Sequence, residues 1–240
     1  MDYKLLADLH MHTIRSDGKQ TIEQNISEAL KKGLKTIAIT DHGPFHEKRA
    51  RCTFDCHLAN KYELKRLQKK YPQIKLLFGI EANIVSLRGD LDITKQQEEA
   101  FDIIVMGQHR SPHGITFWDN FSWKLRNLFP QTKKRIEKVT NAYLLAMQNH
   151  KINILAHLNR YIKVNIKPIA ELAAKKGILI ELNGKRVDFS QEEIDIILKA
   201  GANFVINSDA HRFEDVGNTS RVDKFLESHK IPKERIVNIE

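Results

Sequence analysis

Leu5-Leu6-Ala7-Asp8-Leu9-His10-Met11-His12 sets the pattern for the whole chain: a short, mostly apolar stretch of strand length runs directly into metal-binding residue types. In an extended chain successive side chains alternate faces, so His10 and His12 point the same way and can both grip one ion. The arrangement recurs. Lys35 to Thr40 runs into Asp41-His42, Lys75 to Ile80 into Glu81, Phe101 to Met106 towards His109, and Ile152 to Ala156 into His157. Phe204 to Ile206 leads to Asp209-Ala210-His211, while Ile178 to Leu182 ends in Glu181-Leu182-Asn183, the one terminus without a histidine.

Amphipathic stretches of helix length separate these runs, at about 21–32, 58–70, 95–100, 132–149, 166–176 and 191–200. Thr21 stands where a cap is expected, and Gly33, Gly177 and Gly201 where helices stop. Short apolar strands alternating with helices give a parallel sheet covered on both faces or closed into a barrel. A barrel fits better, because the Gly-rich dinucleotide fingerprint of an open Rossmann sheet is absent.

The chain has 240 residues, 41% of them hydrophobic, enough for a sizeable core in one α/β domain over 1–240. There is no repeat, low-complexity tract or linker. The first residues hold no signal-peptide core, and nothing approaches a membrane span of about 20 apolar residues. Cys52 and Cys56 are too few for a secreted disulfide framework, so a cytoplasmic location is expected. They read as surface thiols in preference to a metal pair beside His57. The formal charge of +9 favours an anionic partner, although the basic runs at 61–70 and 133–138 also read as solvated helix faces.

Active sites of parallel barrels form on the C-terminal face, so residues scattered along the sequence but all at strand ends converge in space. Of eleven histidines, His10, His12, His42, His109, His157 and His211 fall at such ends, while His46, His57, His113, His150 and His229 are expected to face solvent. Buried imidazoles and carboxylates in this number need partners, and metal ions suit them all at once.

The runs His10-Met11-His12-Thr13, Ser16-Asp17-Gly18, Thr40-Asp41-His42-Gly43 and Gly79-Ile80-Glu81-Ala82-Asn83, with His109, His157 and Ser208-Asp209-Ala210-His211, resemble the PHP family, named for polymerases and histidinol phosphatases. The likeness spans nearly the whole chain in the family's order. It implies a distorted TIM-like barrel of seven parallel strands and helices, (β/α)7, around three divalent transition metals, Zn, Mn or Fe. By resemblance, His10, His12, Glu81 and Asp209 hold one metal; Glu81, as a bridge, with His109 and His157 holds a second; Asp17, His42 and His211 hold a third. Some members have histidine where Asp17 stands, which bears on the third site's metal preference.

The chemistry so implied is phosphoester hydrolysis by a metal-bound hydroxide, with Glu81, Asp209 and His211 at the reacting centre. An anionic substrate needs positive groups at the rim, and the loops offer Arg15, Arg110, Arg160, Lys185, Arg186 and Arg212. Arg160 and Arg212, beside ligands, are the expected phosphate clamps, since an Arg fork matches phosphate oxygens. The segment from His113 to Phe129, with Trp118, Phe121 and Trp123, reads as a lid or as a flap packed on the barrel, Trp118 being its candidate for touching substrate.

The leading expectation is a phosphatase for a small phosphomonoester such as histidinol phosphate. The alternative is a nuclease or nucleotide phosphatase, suggested by the family's association with polymerases and the basic charge, against which stands the lack of any separate nucleic-acid module. A metal-stabilised interaction domain is disfavoured because every ligand position is filled. An amidohydrolase is disfavoured because strand four ends in Gly107-Gln108-His109 and not in a lysine.

Overall fold

The computed structural model describes residues 3–46, 52–109 and 132–240. Arg110, His113, Trp118, Phe121, Trp123 and Phe129 lie outside these residues, and with them the lid-or-flap expectation.

Seven strands, β1 (Ala7–Asp8), β2 (Thr36–Ile39), β3 (Lys75–Asn83), β4 (Ile103–Gly107), β5 (Ile154–Leu155), β6 (Leu179–Asn183) and β7 (Phe204–Asn207), form one sheet in sequential order. Every pairing between neighbours is parallel. The helices are α1 (Ile22–Lys31), α2 (Phe54–Lys70), α3 (Lys95–Glu98), α4 (Lys133–Asn149), α5 (Ile166–Lys176), α6 (Gln191–Ala200) and α7 (Ser220–Ser228). This is the expected seven-stranded α/β barrel, with a parity that matters for the site. Leu77 packs with the small set Ala38, Ile103, Val105, Ile154, Ala156 and Val205 inside the barrel. Phe78, Ile80 and Ala82 join the larger core under the helices. The period of two along β3 therefore sends Glu81 and Asn83 to the same side as Leu77.

Capping fixes where helices begin. Thr21 and Ser190 make reciprocal capping boxes at α1 and α6, and Gly177 and Gly201 close α5 and α6 in the left-handed conformation. Helix α2 starts at Phe54, one turn earlier than its apolar spacing suggests, because the Thr53 hydroxyl caps Cys56 N.

The seam between β1 and β7 is closed by other means than a regular ladder. At the upper end Met11 bridges Ala210, with His12 N donating to Ala210 O at 2.9 Å. Buried Asp8 accepts from Ser208 N at 3.0 Å and Gly217 N at 2.8 Å. At the lower end the chain's last residues wedge in, Ile239 bridging Leu5 and Ile236 bridging Phe204. Between them Asn238 accepts from Ile206 N at 3.0 Å and donates to Ala7 O at 2.7 Å and Ile206 O at 2.6 Å.

One expectation is corrected. Cys52 and Cys56 are joined by a disulfide and Cys52 is fully buried, so they are not surface thiols, and the compartment argument loses their support. Among the described residues no helix is long and apolar enough to cross a membrane.

Candidate metal centre

Glu81 occupies the middle of the barrel mouth at 1% exposure, and its two carboxylate oxygens face different partners. Oε1 lies 2.8 Å from His157 Nε2 and 3.3 Å from His109 Nε2. Oε2 lies 2.7 Å from His42 Nδ1, 3.4 Å from His10 Nε2 and 3.5 Å from His12 Nε2. Gly107 leaves the room for this, since a Cβ there would stand 2.7 Å from Glu81 Oε1 and 2.9 Å from His157 Cε1.

The other expected residues surround this carboxylate. Asp209 Oδ1 is 3.4 Å from His12 Nε2 and 3.5 Å from His211 Nδ1. Asp17 Oδ2 is 3.1 Å from His211 Nε2 and 3.4 Å from His42 Nε2. His157 and Asp209 adopt φ values of 34° and 53°, left-handed backbone that a non-glycine residue accepts only when its surroundings enforce it.

All nine expected ligand positions thus converge, and their donor atoms group in sets on the scale of a coordination shell: His10, His12 and Glu81; Glu81, His109 and His157; His12, Asp17, His42 and His211. His12 stands in both the first and the third of these sets, while Asp209 lies beside them, 3.4 Å from His12 Nε2. The fit to metal is chemical as well. His12 Nδ1, His42 Nδ1 and Glu81 Oε2 are buried and none makes a well-directed hydrogen bond, the 2.7 Å approach of the last two included, a costly state that a cation relieves.

The charges of the cluster and its burial set the proton affinity of each ring in opposite directions. Burial works against charge on His42, yet Glu81 and Asp17 push its pKa up to about 10. Burial likewise opposes protonation of His10, but Glu181, Glu81 and Asp209 raise it well above the usual imidazole range. Burial alone would raise Glu81, and the His109, His42 and His10 charges instead hold it well below the carboxylate range. His109 is pushed down to about 4, chiefly by burial.

A surrounding layer orients the ligands, and sequence reasoning missed most of it. Glu181, noted only for lacking a histidine beside it, accepts from His10 Nδ1 at 2.8 Å and His157 N at 3.0 Å, which turns His10 Nε2 to the centre. Asn83 Oδ1 accepts from His109 Nδ1 at 2.6 Å. Asp41 accepts from Thr13 N, Thr13 Oγ1 and Asn60 Nδ2, each at 2.7 Å, and so anchors the loop carrying Asp17. The parity of β3 and β6 was the available signal for Asn83 and Glu181, two residues along from Glu81 and two before Asn183.

Of the histidines expected at the surface, two are buried and two partly buried. His46 is 6% exposed and stacks on His42, and His57 is fully buried with Nε2 3.2 Å from His42 O. The reason is tertiary: the turn after β2 folds back over the mouth, and the first turn of α2 faces the barrel. His150 is half-buried and paired with Glu98, and His229 stacks on Phe225.

Of the basic candidates, Arg160 Nη1 lies 3.4 Å from Asp209 Oδ2 at the mouth, while Arg212 is exposed and makes no salt bridge with the described residues. Lys185 is closer than either, its Nζ 3.2 Å from Asp209 Oδ1 and 2.6 Å from His211 Nδ1. Arg15 pairs with Glu63 and Arg186 with Asp188, which ties both to carboxylates outside the cluster.

The model of the PHP domain matches residues 8–185, which reach from β1 through Glu181. The chain belongs to the PHP family. A protein named probable phosphatase from Yersinia enterocolitica is 31% identical over 97% of this chain and 89% of its own length. Another of that description from Proteus mirabilis is 28% identical over 96% and 89%. Histidinol phosphate phosphatase from Lactococcus lactis, solved with zinc, L-histidinol and phosphate, shares the fold at a TM-score of 0.64 and 18% identity, covering 94% of this chain and 93% of that one. As a member of the PHP family the chain is a metal-dependent phosphoesterase, a hydrolase.

Proposed function

We propose that the chain hydrolyses a small phosphomonoester, histidinol phosphate being the first candidate, at a centre of three divalent transition metals, Zn, Mn or Fe. The observation that carries this reading is Glu81, whose Oε1 faces His109 and His157 and whose Oε2 faces His10, His12 and His42. Glu81 would hold metal together with His109 and His157 on one side and with His10 and His12 on the other, and Asp17, His42 and His211 would hold a third ion.

When bound, divalent ions supply a water of lowered pKa as nucleophile and positive charge for the phosphoryl oxygens. The chain's own residues do the rest. Glu181 and Asn83 hold the His10 and His109 tautomers that turn Nε2 inward. Asp209, kept ionised despite burial by His10, His12 and Lys185, serves as an anionic ligand and as a hydrogen-bond acceptor that orients the attacking water. Arg160, beside Asp209, clamps phosphate oxygens, and Lys185 adds a second cation at the same carboxylate. Arg212, exposed, is placed to meet the substrate only at the rim. His211, a quarter exposed and hydrogen-bonded to Lys185, lies on the more open side of the cluster.

Metal content by elemental analysis, paired with hydrolysis of a chromogenic phosphomonoester before and after chelation, tests the proposal. About three transition metals per chain with chelator-sensitive hydrolysis are expected. Bound metal with hydrolysis of diesters alone would move the substrate to the nucleic-acid-derived class, and no metal under replete conditions would overturn the reading.

A further inference from the structure

Beyond the expected ligands stands His46. We propose that His46 is a further metal-binding residue, presenting Nε2 alongside His109 to a transition ion that prefers imidazole. The inference rests on the reading of the barrel mouth as a metal centre and adds a ligand to it.

A hydrogen bond from His46 N to Gly43 O, 3.2 Å, closes the turn after β2, and Gly43 N is tied to Glu81 O at 3.0 Å. The His46 ring is thereby laid flat on His42, centroids 3.6 Å apart and planes within 3°, and edge-on to His109 at 4.4 Å.

Asn83 then selects the tautomer. Asp92 accepts from Asn83 N and from Asn83 Nδ2, both at 2.8 Å, so the amide nitrogen is committed and Oδ1 must face the other way. That oxygen meets His109 Nδ1 at 2.6 Å and His46 Nδ1 at 3.3 Å. A carbonyl oxygen only accepts, so both rings donate from Nδ1 and both leave Nε2 as an electron pair. This is the arrangement in which metal-ligating histidines are held, their other nitrogen donating to a fixed acceptor. One amide oxygen thus aligns His46 in the same manner as His109.

Ligand atoms of His42, His46 and His109 all lie within 4.8 Å of one another. A further imidazole beside His109 favours Zn, Co or Ni over Mg or Mn. His109 Nε2 serves one ion at a time, so His46 widens the partners available to the ion that His109 carries and does not create an independent one. The number of ions stays the same, while affinity and selectivity change.

The test is a competition titration of the metal-free full chain with Zn(II) against a chromophoric chelator, together with the Co(II) absorption spectrum, for the wild type and His46→Phe, which keeps a flat ring on His42. The expected result is unchanged stoichiometry with one ion bound about 10–100-fold more weakly and an altered Co(II) spectrum. His46→Asp, which restores a ligand of another kind, is expected to recover binding with selectivity shifted towards Mn(II), and this guards against a fold defect in the first variant. Superimposable isotherms and spectra for wild type and His46→Phe overturn the proposal and leave the metal centre standing. Failure of the wild type to bind any transition ion removes both.

Discussion

Glu81 is packed so closely that a single methylene decides its freedom, and Gly107 is where that methylene is missing. In Gly107→Ala the new Cβ meets Glu81 Oε1 and His157 Cε1 below van der Waals distance, so the carboxylate must turn away from one imidazole set. A folded protein by circular dichroism with a loss of bound metal and activity of at least about 10-fold is expected, in line with what disturbing a ligand's support costs. Glu181 is the converse case, a carboxylate that touches no substrate yet accepts from His10 Nδ1, His157 N, Asn183 Nδ2 and Asn207 Nδ2. Glu181→Gln turns an amide donor towards those donors, and about 10–100-fold weaker metal binding is expected by chelator competition. His42, together with His10, sets the pH dependence. Its pKa, raised from 6.5 to about 10 in the metal-free chain against the cost of burial, stabilises that chain fully below 6.5 and ceases to do so as pH rises through about 10. A metal takes the neutral ring, so loading at pH 7 must release the proton, and metal affinity must climb with pH across that window. Calorimetry of metal binding in buffers of different ionisation enthalpy checks it; zero net proton release at pH 7 would contradict the His42 assignment.

Strands and helices show which parts of this were legible beforehand. Lengths of apolar runs separated by helical periodicity located all seven strands, since a strand buried on both faces has few ways to be anything else, and the acidic or imidazole residue after each run marked the mouth. β1 and β5 hold two residues each in regular pairing, shorter than their apolar runs, because near the seam and the mouth side chains and loops replace the ladder. Unreadable were features that depend on which element lies over which. His46 and His57 look like loop and helix-start residues and are buried only because a turn and α2 fold across the mouth. The cysteines are four residues apart, and only the approach of the segment before α2 to its first turn joins them. The final segment, too short and polar to read as a strand, fills the lower seam through Asn238. In Asn238→Ala, Ile206 N and the carbonyls of Ala7 and Ile206 lose their partner inside the barrel. Each buried group left unpaired costs about 1–3 kcal/mol, so a loss of about 3 kcal/mol in denaturant unfolding is expected, with activity of the folded fraction intact.

For the barrel as a whole, the position of the ligands relative to the seam matters more than their number. His10 and His12 follow the first strand, and Asp209 and His211 follow the last, so any ion shared among them ties the two ends of the sheet across the gap that β1 and β7 leave unpaired. Glu81 and His109 bring in the middle of the sheet, and metal then acts as a clasp on the upper rim just as Asn238 does on the lower. The unfolded chain cannot assemble these groups, so binding adds to stability by mass action, about 4 kcal/mol when free metal exceeds its dissociation constant 1,000-fold. For a chain of this size about 1 kcal/mol moves the melting temperature by roughly 2–4 °C, so chelation should lower it by about 10 °C in scanning calorimetry. Because both clasps hold one seam, chelation and Asn238→Ala should cost more together than the sum of their separate effects. Simple additivity would mean that the rims open independently, whereas a melting temperature indifferent to chelation would mean that the ligands are held apart without the metal and that the clustered imidazoles contribute nothing to closing the barrel.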